Sequence, residues 1–232
     1  QLISYKTALR IITEAIHPLP AVSVAPQAAL GKSLAAVIPS AIAVPPFANA
    51  AMDGFALRSA ETRDASQANP ARFEVAGTVT AGEAPPAATP PGSAWEIMTG
   101  APMPADCDAV VPVEKVETPA GARASVVIRR PVRAGDNRRE AGEDFAAGQT
   151  VLPGGALITP AAIMGLAAAG CDAVAAHPLP RVAVIATGNE LTFDGQPPAQ
   201  GLIRDANGPY LAAVLRQLGL PRVRHHAVRD DA

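Results

Sequence analysis

Hydrophobic residues near the amino terminus recur at the spacing of a helix. The apolar stripe consists of Leu9, Ile12, Ala15 and Ile16. Ser4 stands where a capping residue would begin this helix, and Pro18 ends the pattern because proline cannot continue it. A second helix is predicted over 160–169, where Gly170 follows the last apolar turn.

The middle of the chain has the pattern of short strands. Runs rich in Val, Ile and Phe alternate with segments rich in Pro and Gly. The predicted strands are 73–79, 95–98, 109–116 and 124–130. This pattern predicts a small β-rich domain over residues 41–130.

The last quarter of the chain changes pattern again. Residues 181–186 form a continuous apolar run, as expected of a buried parallel strand. A turn at 187–190, a helix at 210–218 and a strand at 222–228 are predicted to follow. Strand, helix and strand make a βαβ unit, so an α/β domain is expected to start near residue 178.

Composition narrows the class of protein. The 232 residues are 49% hydrophobic and 17% charged, which is typical of a globular chain with one to three domains. The net charge of −2 argues against a general nucleic-acid binder. Cys107 and Cys171 match no metal spacing and favour free thiols in a reducing cytoplasm.

Neither a membrane-spanning run nor a signal peptide is visible, so a cytoplasmic protein without membrane contact is expected. The chain begins at Gln1 without methionine and stops at Ala232 without a closing element. Both ends indicate a fragment or a trimmed chain.

The first candidate for chemistry is Asp53, between Met52 and Gly54. Gly54 is expected to permit a turn, and the carboxylate either accepts hydrogen bonds from that turn or serves chemistry. Most Asp-Gly pairs are turns, so for Asp53 alone the structural interpretation is favoured. Thr99, beside Gly100 after a strand, either presents donors to an anion or merely ends that strand.

Two further groups of charged residues have both a structural and a functional interpretation. Arg139 and Asp144 flank Gly142 and can form a structural ion pair or bind a ligand. The turn Thr187-Gly188-Asn189-Glu190 follows a parallel strand, at the sheet edge where α/β proteins bind ligands. Glu190 there suits phosphate, metal or pterin contacts, or is simply solvated.

The region around the third predicted helix adds more polar residues. Asn207 or Gly208 is expected to cap this helix, which leaves Asp205 without an assigned purpose. Asp230 and Asp231 follow a strand and either hold Mg²⁺ or are solvated. The four histidines form no cluster with ligand spacing and receive no role, although His225-His226 could face a ligand.

Six segments, in order, give the chain a family resemblance. They are Pro-Pro-Phe-Ala-Asn-Ala-Ala-Met-Asp-Gly-Phe-Ala (45–56), Ile-Met-Thr-Gly-Ala-Pro-Met-Pro (97–104), Asp-Ala-Val-Val-Pro-Val-Glu (108–114), Gly-Asp-Asn-Arg-Arg-Glu-Ala-Gly-Glu-Asp (135–144), Pro-Arg-Val-Ala-Val-Ile-Ala-Thr-Gly-Asn-Glu-Leu (180–191) and Ile-Arg-Asp-Ala-Asn (203–207). Together they resemble the molybdopterin molybdenumtransferase family, which includes MoeA and the E domain of gephyrin.

The resemblance implies an elongated, multi-domain α/β protein. It implies a mixed α/β linker domain from 1–40 and 131–177, a small β-rich domain at 41–130, and the start of a three-layer α/β molybdopterin-binding domain at 178–232. The activity it implies is Mg²⁺-dependent insertion of molybdate into adenylylated molybdopterin with release of AMP. It further implies a homodimer, with molybdopterin adenylyltransferase and molybdoenzyme maturation factors as possible partners. On this view the chain alone is expected to be inactive.

The resemblance also implies roles for individual residues. The implied catalytic residues are Asp53, Thr99, Asp144, Glu190 and Asp230. The implied cofactor-binding residues are Thr187, Gly188, Asn189, Asp205 and Asn207. Glu190 and Asp230 are the implied Mg²⁺ ligands, in keeping with the preference of this ion for carboxylate oxygens.

The chain departs from the family pattern at three positions. Ala48 and Ala50 replace the usual Asp and Ser, and Asn189 replaces the usual Asp. These departures favour the alternative of a non-catalytic pterin-binding or scaffold relative. A generic nucleotide-binding α/β protein ranks last, because the sequence lacks both Gly-x-Gly-x-x-Gly and a Walker lysine motif.

Overall fold

The computed structural model describes residues 3–118, 125–192 and 197–230. The α-helices are α1 (Tyr5–Ala15), α2 (Pro160–Ala168) and α3 (Asn207–Gln217). The strands are β1 (Val22–Val24), β2 (Ser33–Leu34), β3 (Ile38–Pro39), β4 (Asn49–Ala50), β5 (Gly54–Leu57), β6 (Ala71–Val79), β7 (Ser93–Ile97), β8 (Ala109–Pro112), β9 (Ser125–Ile128), β10 (Arg138–Arg139), β11 (Thr150–Leu152), β12 (Val174–His177), β13 (Val182–Thr187), β14 (Leu191–Thr192), β15 (Ile203–Arg204) and β16 (Val223–Val228). Short 3₁₀ turns are Pro26–Ala29, Ser59–Thr62 and Val113–Lys115.

The chain divides into two compact units. The β unit comprises 39–151 with 165–171, and the α/β unit comprises the three segments 1–38, 152–164 and 172–232. The mixture of helices and sheets is the predicted α/β class. The three-domain division predicted from the sequence groups the residues differently and stays a prediction.

A five-stranded sheet organises the β unit, with strand order β8-β5-β7-β6-β9. Both faces of the sheet carry a core, because successive residues of β5 point to opposite sides. Phe55 packs with Phe73 and Ile128 on one face, whereas Ala56 packs with Ile97 and Val110 on the other. The runs 73–79, 95–98 and 109–116 correspond to β6, β7 and β8, although β8 ends at Pro112. Ala124, the predicted start of the next strand, lies outside the described residues.

The two cysteines are free thiols, as predicted. Cys107 is buried, and its sulfur lies 3.3 Å from the hydroxyl of Thr89. Desolvation by burial raises the pKa of this thiol. Cys107 is therefore a core residue rather than a reactive group.

The α/β unit contains the predicted βαβ arrangement. Strand β13 pairs in parallel with β16, and α3 connects them. Val184, Ala212 and Val223 form the core between this pair and the helix. Elsewhere in the unit, β12 pairs with β1 and β2 in an antiparallel sheet.

The expectation of a fully buried strand at 181–186 is wrong in part. Val184 is 9% exposed, whereas the adjacent Ile185 is 60% exposed. Alternate residues of a strand face opposite sides, and α3 covers only one side of β13. In the described part of the chain, no helix is long and apolar enough to cross a membrane.

Candidate functional site

Asp53 and Thr99 form the first part of the candidate site. Asp53 precedes β5 and Thr99 follows β7, and these strands are antiparallel with Gly54 opposite Ile97. The two residues therefore meet at one end of the strand pair. Oδ1 of Asp53 accepts hydrogen bonds from both the backbone N–H and the hydroxyl of Thr99, each at 2.7 Å.

These hydrogen bonds favour the ionised form of Asp53. The hydroxyl of Thr99, followed by its backbone N–H, lowers the pKa of the Asp53 carboxyl from its usual value. The residue is exposed, and Oδ2 accepts no hydrogen bond from the described residues. The Asp53 carboxylate is therefore held in one orientation. Its Oδ1 is bonded to Thr99, and its Oδ2 is open to a ligand.

Position 54 requires glycine for a reason other than the predicted turn. Its φ angle is not in the left-handed region, so the backbone does not require glycine for a turn. A Cβ at this position would instead overlap the backbone carbonyl of Val111 on the neighbouring strand. Glycine is needed because β5 and β8 approach each other closely here.

The loop that carries Asp144 adjoins the same part of the β unit. Strand β4 pairs with β10, and Ala50 on β4 exchanges backbone hydrogen bonds with Gly100 and Ala101. Three separate segments, near 50, 100 and 139, therefore lie side by side. The structure thus brings Thr99 and the Arg139–Asp144 loop into one neighbourhood.

The Arg139–Asp144 cluster is an ion pair, which is the structural interpretation offered for it. Arg139 Nη2 donates to Asp144 Oδ1 at 2.7 Å, and its Nε lies 3.6 Å from Glu143. The Asp144 carboxylate raises the pKa of Arg139 further above its usual value. A catalytic role for Asp144 stays a prediction.

Glu190 and Asp230 lie after the parallel strands of the α/β unit. Thr187 pairs with Val228, so both acids follow the same carboxyl edge of the sheet. The Glu190 carboxylate lies over Gly188, where a Cβ would meet its oxygens at 2.5 and 2.7 Å. A side chain at position 188 would displace this carboxylate.

Asn189 connects the two loops. Its side-chain oxygen accepts a hydrogen bond from the backbone N–H of Asp230 at 3.1 Å. The amide oxygen of Asn189 accepts this hydrogen bond without carrying a charge. The loop after β16 therefore stays bonded to the loop after β13, although Asn189 replaces the usual aspartate. Asp231, named with Asp230 as a metal ligand, lies outside the described residues.

The cap of α3 differs from the prediction. Asp205, rather than Asn207 or Gly208, supplies the capping side chain, since its Oδ1 accepts a hydrogen bond from the Gly208 N–H at 2.9 Å. Its Oδ2 lies 2.7 Å from Nε2 of His225, and the Asp205 side chain is only 5% exposed. Asn207 is the first residue of the helix.

His225 is the residue that sequence analysis missed. It stands on β16, and a Cβ at Gly208 would overlap both its Nε2 and Asp205 Oδ2. The tight contact of helix and strand places the imidazole beside the carboxylate. No spacing in the sequence predicts the pair of Asp205 and His225, because the two residues come together only when α3 packs against β16.

We expect Asp205 to make stability depend on acid pH. The Gly208 N–H, and after it His225, lower the pKa of the carboxyl below its usual 3.8, so its stabilising contribution is present above that pH and disappears as the folded-state carboxyl protonates. Asp205→Asn keeps a capping oxygen but removes the charge. Hydrogen exchange of α3 amides is expected to be faster in the variant at neutral pH and equal to wild type in strong acid. A difference unaffected by pH would contradict this.

The described residues contain no group of three or more His, Cys, Asp or Glu side chains that could hold a metal ion. Mg²⁺ often uses only one or two protein carboxylates and completes its coordination with waters and substrate phosphates. Glu190 and Asp230 fit that limited donor set. Their assignment as Mg²⁺ ligands stays a prediction.

A family model identifies the kind of protein. The MoeA N-terminal region (domain I and II) matches residues 3–170. The chain therefore belongs to the MoeA family, as its sequence segments predicted.

Curated relatives agree with this family. Molybdopterin molybdenumtransferase 2 of Mycobacterium tuberculosis (strain CDC 1551 / Oshkosh) is 39% identical over 223 residues, covering 96% of this chain and 54% of that protein. Molybdopterin molybdenumtransferase of Synechococcus elongatus is 37% identical over 222 residues, covering 94% and 54%. The chain thus spans about half the length of the curated relatives it matches.

Solved structures share the fold. A molybdopterin biosynthesis MoeA protein from Pyrococcus horikoshii OT3 has a TM-score of 0.85 at 29% identity, covering all of this chain and 61% of that one. Another structure of a Pyrococcus MoeA protein has a TM-score of 0.76 at 33% identity, covering 100% and 58%. The mixed α/β architecture is therefore that of MoeA proteins.

Proposed function

We propose that the chain is part of a molybdopterin molybdenumtransferase that acts in molybdenum cofactor biosynthesis. The reaction is insertion of molybdate at the dithiolene sulfurs of adenylylated molybdopterin, with Mg²⁺ present and AMP released. Molybdate and adenylylated molybdopterin are substrates. The observation that carries the proposal is the ionised Asp53 carboxylate, oriented by Thr99 at the segments that define the family.

The residues of the α/β unit would contact the charged part of the substrate. Gly188 leaves space that the Glu190 carboxylate occupies, and the amino end of α3 favours anions, although Asp205 already accepts the Gly208 N–H. Mg²⁺ bound near Glu190 and Asp230 would neutralise phosphate charge. Asp53 would supply an oriented negative charge or proton acceptor.

The test uses the full-length protein that contains this chain. Purified protein with adenylylated molybdopterin and molybdate is expected to release AMP and to form molybdenum-loaded cofactor. The chain alone is expected to show no turnover. Absence of AMP release from the full-length protein would contradict the proposed function.

A second candidate is a non-catalytic pterin-binding or scaffold protein of the same family. It is favoured by Ala48, Ala50 and Asn189, and Asn189 retains the contact to Asp230 without carrying a charge. Titration with adenylylated molybdopterin separates the candidates. Saturable binding that is unaffected by molybdate and yields no AMP would indicate the scaffold.

We also propose that the protein is a cytoplasmic homodimer that associates through α1. The apolar side of this helix is exposed, with Leu9 at 47% and Ile12 at 55%. Burying such a face against a second copy removes apolar surface from water. Molybdopterin adenylyltransferase and molybdoenzyme maturation factors are proposed as further partners.

The dimer proposal predicts a specific effect of one substitution. Ile12→Lys places a charge on the apolar side of α1 and is expected to shift the mass measured by light scattering from dimer to monomer. Glu14→Lys places a lysine on the polar side, beside Arg10, and is expected to leave the dimer intact. Equal masses for the two variants would contradict a role for this face.

A further inference from the structure

A recess with cationic walls lies in the β unit, and neither Asp53 nor Thr99 is among its lining residues. It has a volume of about 310 Å³ and lies among β8, the 3₁₀ turn after it and the end of β9. Exposed Pro131 and half-buried Val132 contribute apolar surface to its lining. Lys115, Arg130 and Arg133 contribute its positive charges.

These three cations have no side-chain partner within the described part of the chain. Several other arginines of the unit are paired, among them Arg58 with Glu61 and Arg129 with Glu117. By contrast, the side chains of Lys115, Arg130 and Arg133 make no hydrogen bond or ion pair with any described residue.

One acid also lines the recess, but its carboxylate already has a partner. Oδ2 of Asp136 accepts a hydrogen bond from the backbone N–H of Arg133 at 3.1 Å. Three positive charges and one negative charge therefore share a small concave surface. The chain as a whole has a net charge of −2. The excess of positive charge in the recess is therefore local and does not reflect a basic chain overall.

The positive surface extends into a neighbouring depression. A second recess of about 340 Å³ shares Lys115 and Arg130 with the first. These two side chains stand between the recesses and can contact a ligand in either one. The arrangement offers more room than a single tetrahedral ion requires.

We propose that this surface binds the phosphate group of a small phosphorylated organic molecule. Two guanidinium groups and one ammonium group supply several donors to a tetrahedral oxyanion, and an anion removes the repulsion among them. The organic part of the ligand would lie on Pro131 and Val132. The proposal rests on these residues alone and does not depend on molybdenum insertion.

The test is a titration of the ¹⁵N-labelled chain with phenyl phosphate at low salt. Saturable shift changes are expected at the amides near Val111, Lys115 and Ile128, and they should weaken at high salt. Lys115→Met and Arg130→Gln are each expected to raise the dissociation constant about three- to fivefold, as for exposed ion pairs. Arg63→Gln removes the same charge from an exposed site elsewhere in the unit and should have no effect.

Several results would overturn the proposal. One is the absence of saturable shifts, and another is equal weakening by Arg63→Gln, which would indicate only a general effect of charge. Inorganic phosphate binding as tightly as phenyl phosphate would show that the apolar surface contributes nothing. Binding of hexaglutamate without binding of phenyl phosphate would indicate an acidic protein partner instead.

Discussion

Asp53→Asn is expected to lower the rate of molybdenum insertion by the full-length protein about a hundredfold or more, the usual cost of removing an oriented electrostatic group. The unfolding free energy should change little, because the amide oxygen can still accept both hydrogen bonds from Thr99. AMP release and urea denaturation measure the two effects separately.

A matched control is available at Thr99. Thr99→Ser retains the hydroxyl and the backbone N–H that orient Asp53, so activity close to wild type is expected. If Asp53→Asn were instead strongly destabilising, the carboxylate would be structural. Full activity of the stable variant would show that its charge is not used.

Gly54→Ala is expected to destabilise the β unit by about 3 kcal/mol or more, since the added methyl group would overlap a backbone carbonyl rather than a movable side chain. Gly54 lies on β5, which has a neighbour on each side, so strand displacement would disturb β7 and β8 together. Trp95 is the only tryptophan and pairs with Ala56, and its fluorescence therefore reports on this sheet.

Gly165→Ala is the control, because its effect on stability is expected to have the opposite sign. Gly165 lies within α2, and its added Cβ would meet Val151 and Phe145 side chains at ordinary distances of 3.5 and 3.8 Å. The variant is expected to gain up to about 1 kcal/mol from helix propensity. Similar urea midpoints for both variants would contradict the steric explanation for Gly54.

The elements whose signals are local could be predicted from the sequence. Ser4 caps α1 as expected, with its hydroxyl oxygen accepting the Thr7 N–H, and the periodicity located α2 and α3 within a few residues. Helix signals repeat every turn and are read from neighbouring positions. The apolar run of β13 likewise identified a parallel strand.

The features that sequence analysis missed depend on distant residues. The constraint on Gly54 comes from Val111, and the environment of Asp205 comes from His225. Strand β5 has only four residues, which are too few to show a clear alternation of apolar and polar positions. The Asp53-Gly54 pair where it begins is typical of a turn. For the site, sequence order indicated the candidate residues but not that Asp53 and Thr99 would bond.

The division of the α/β unit into three chain segments has a consequence for synthesis on the ribosome. The five-stranded sheet is complete once β9 has emerged, whereas β1 and β2 must wait for β12. At usual translation speeds this delay is on the order of ten seconds. The middle of the nascent chain is thus expected to fold first. Until β12 has emerged, the edges of β1 and β2 are exposed to chaperones.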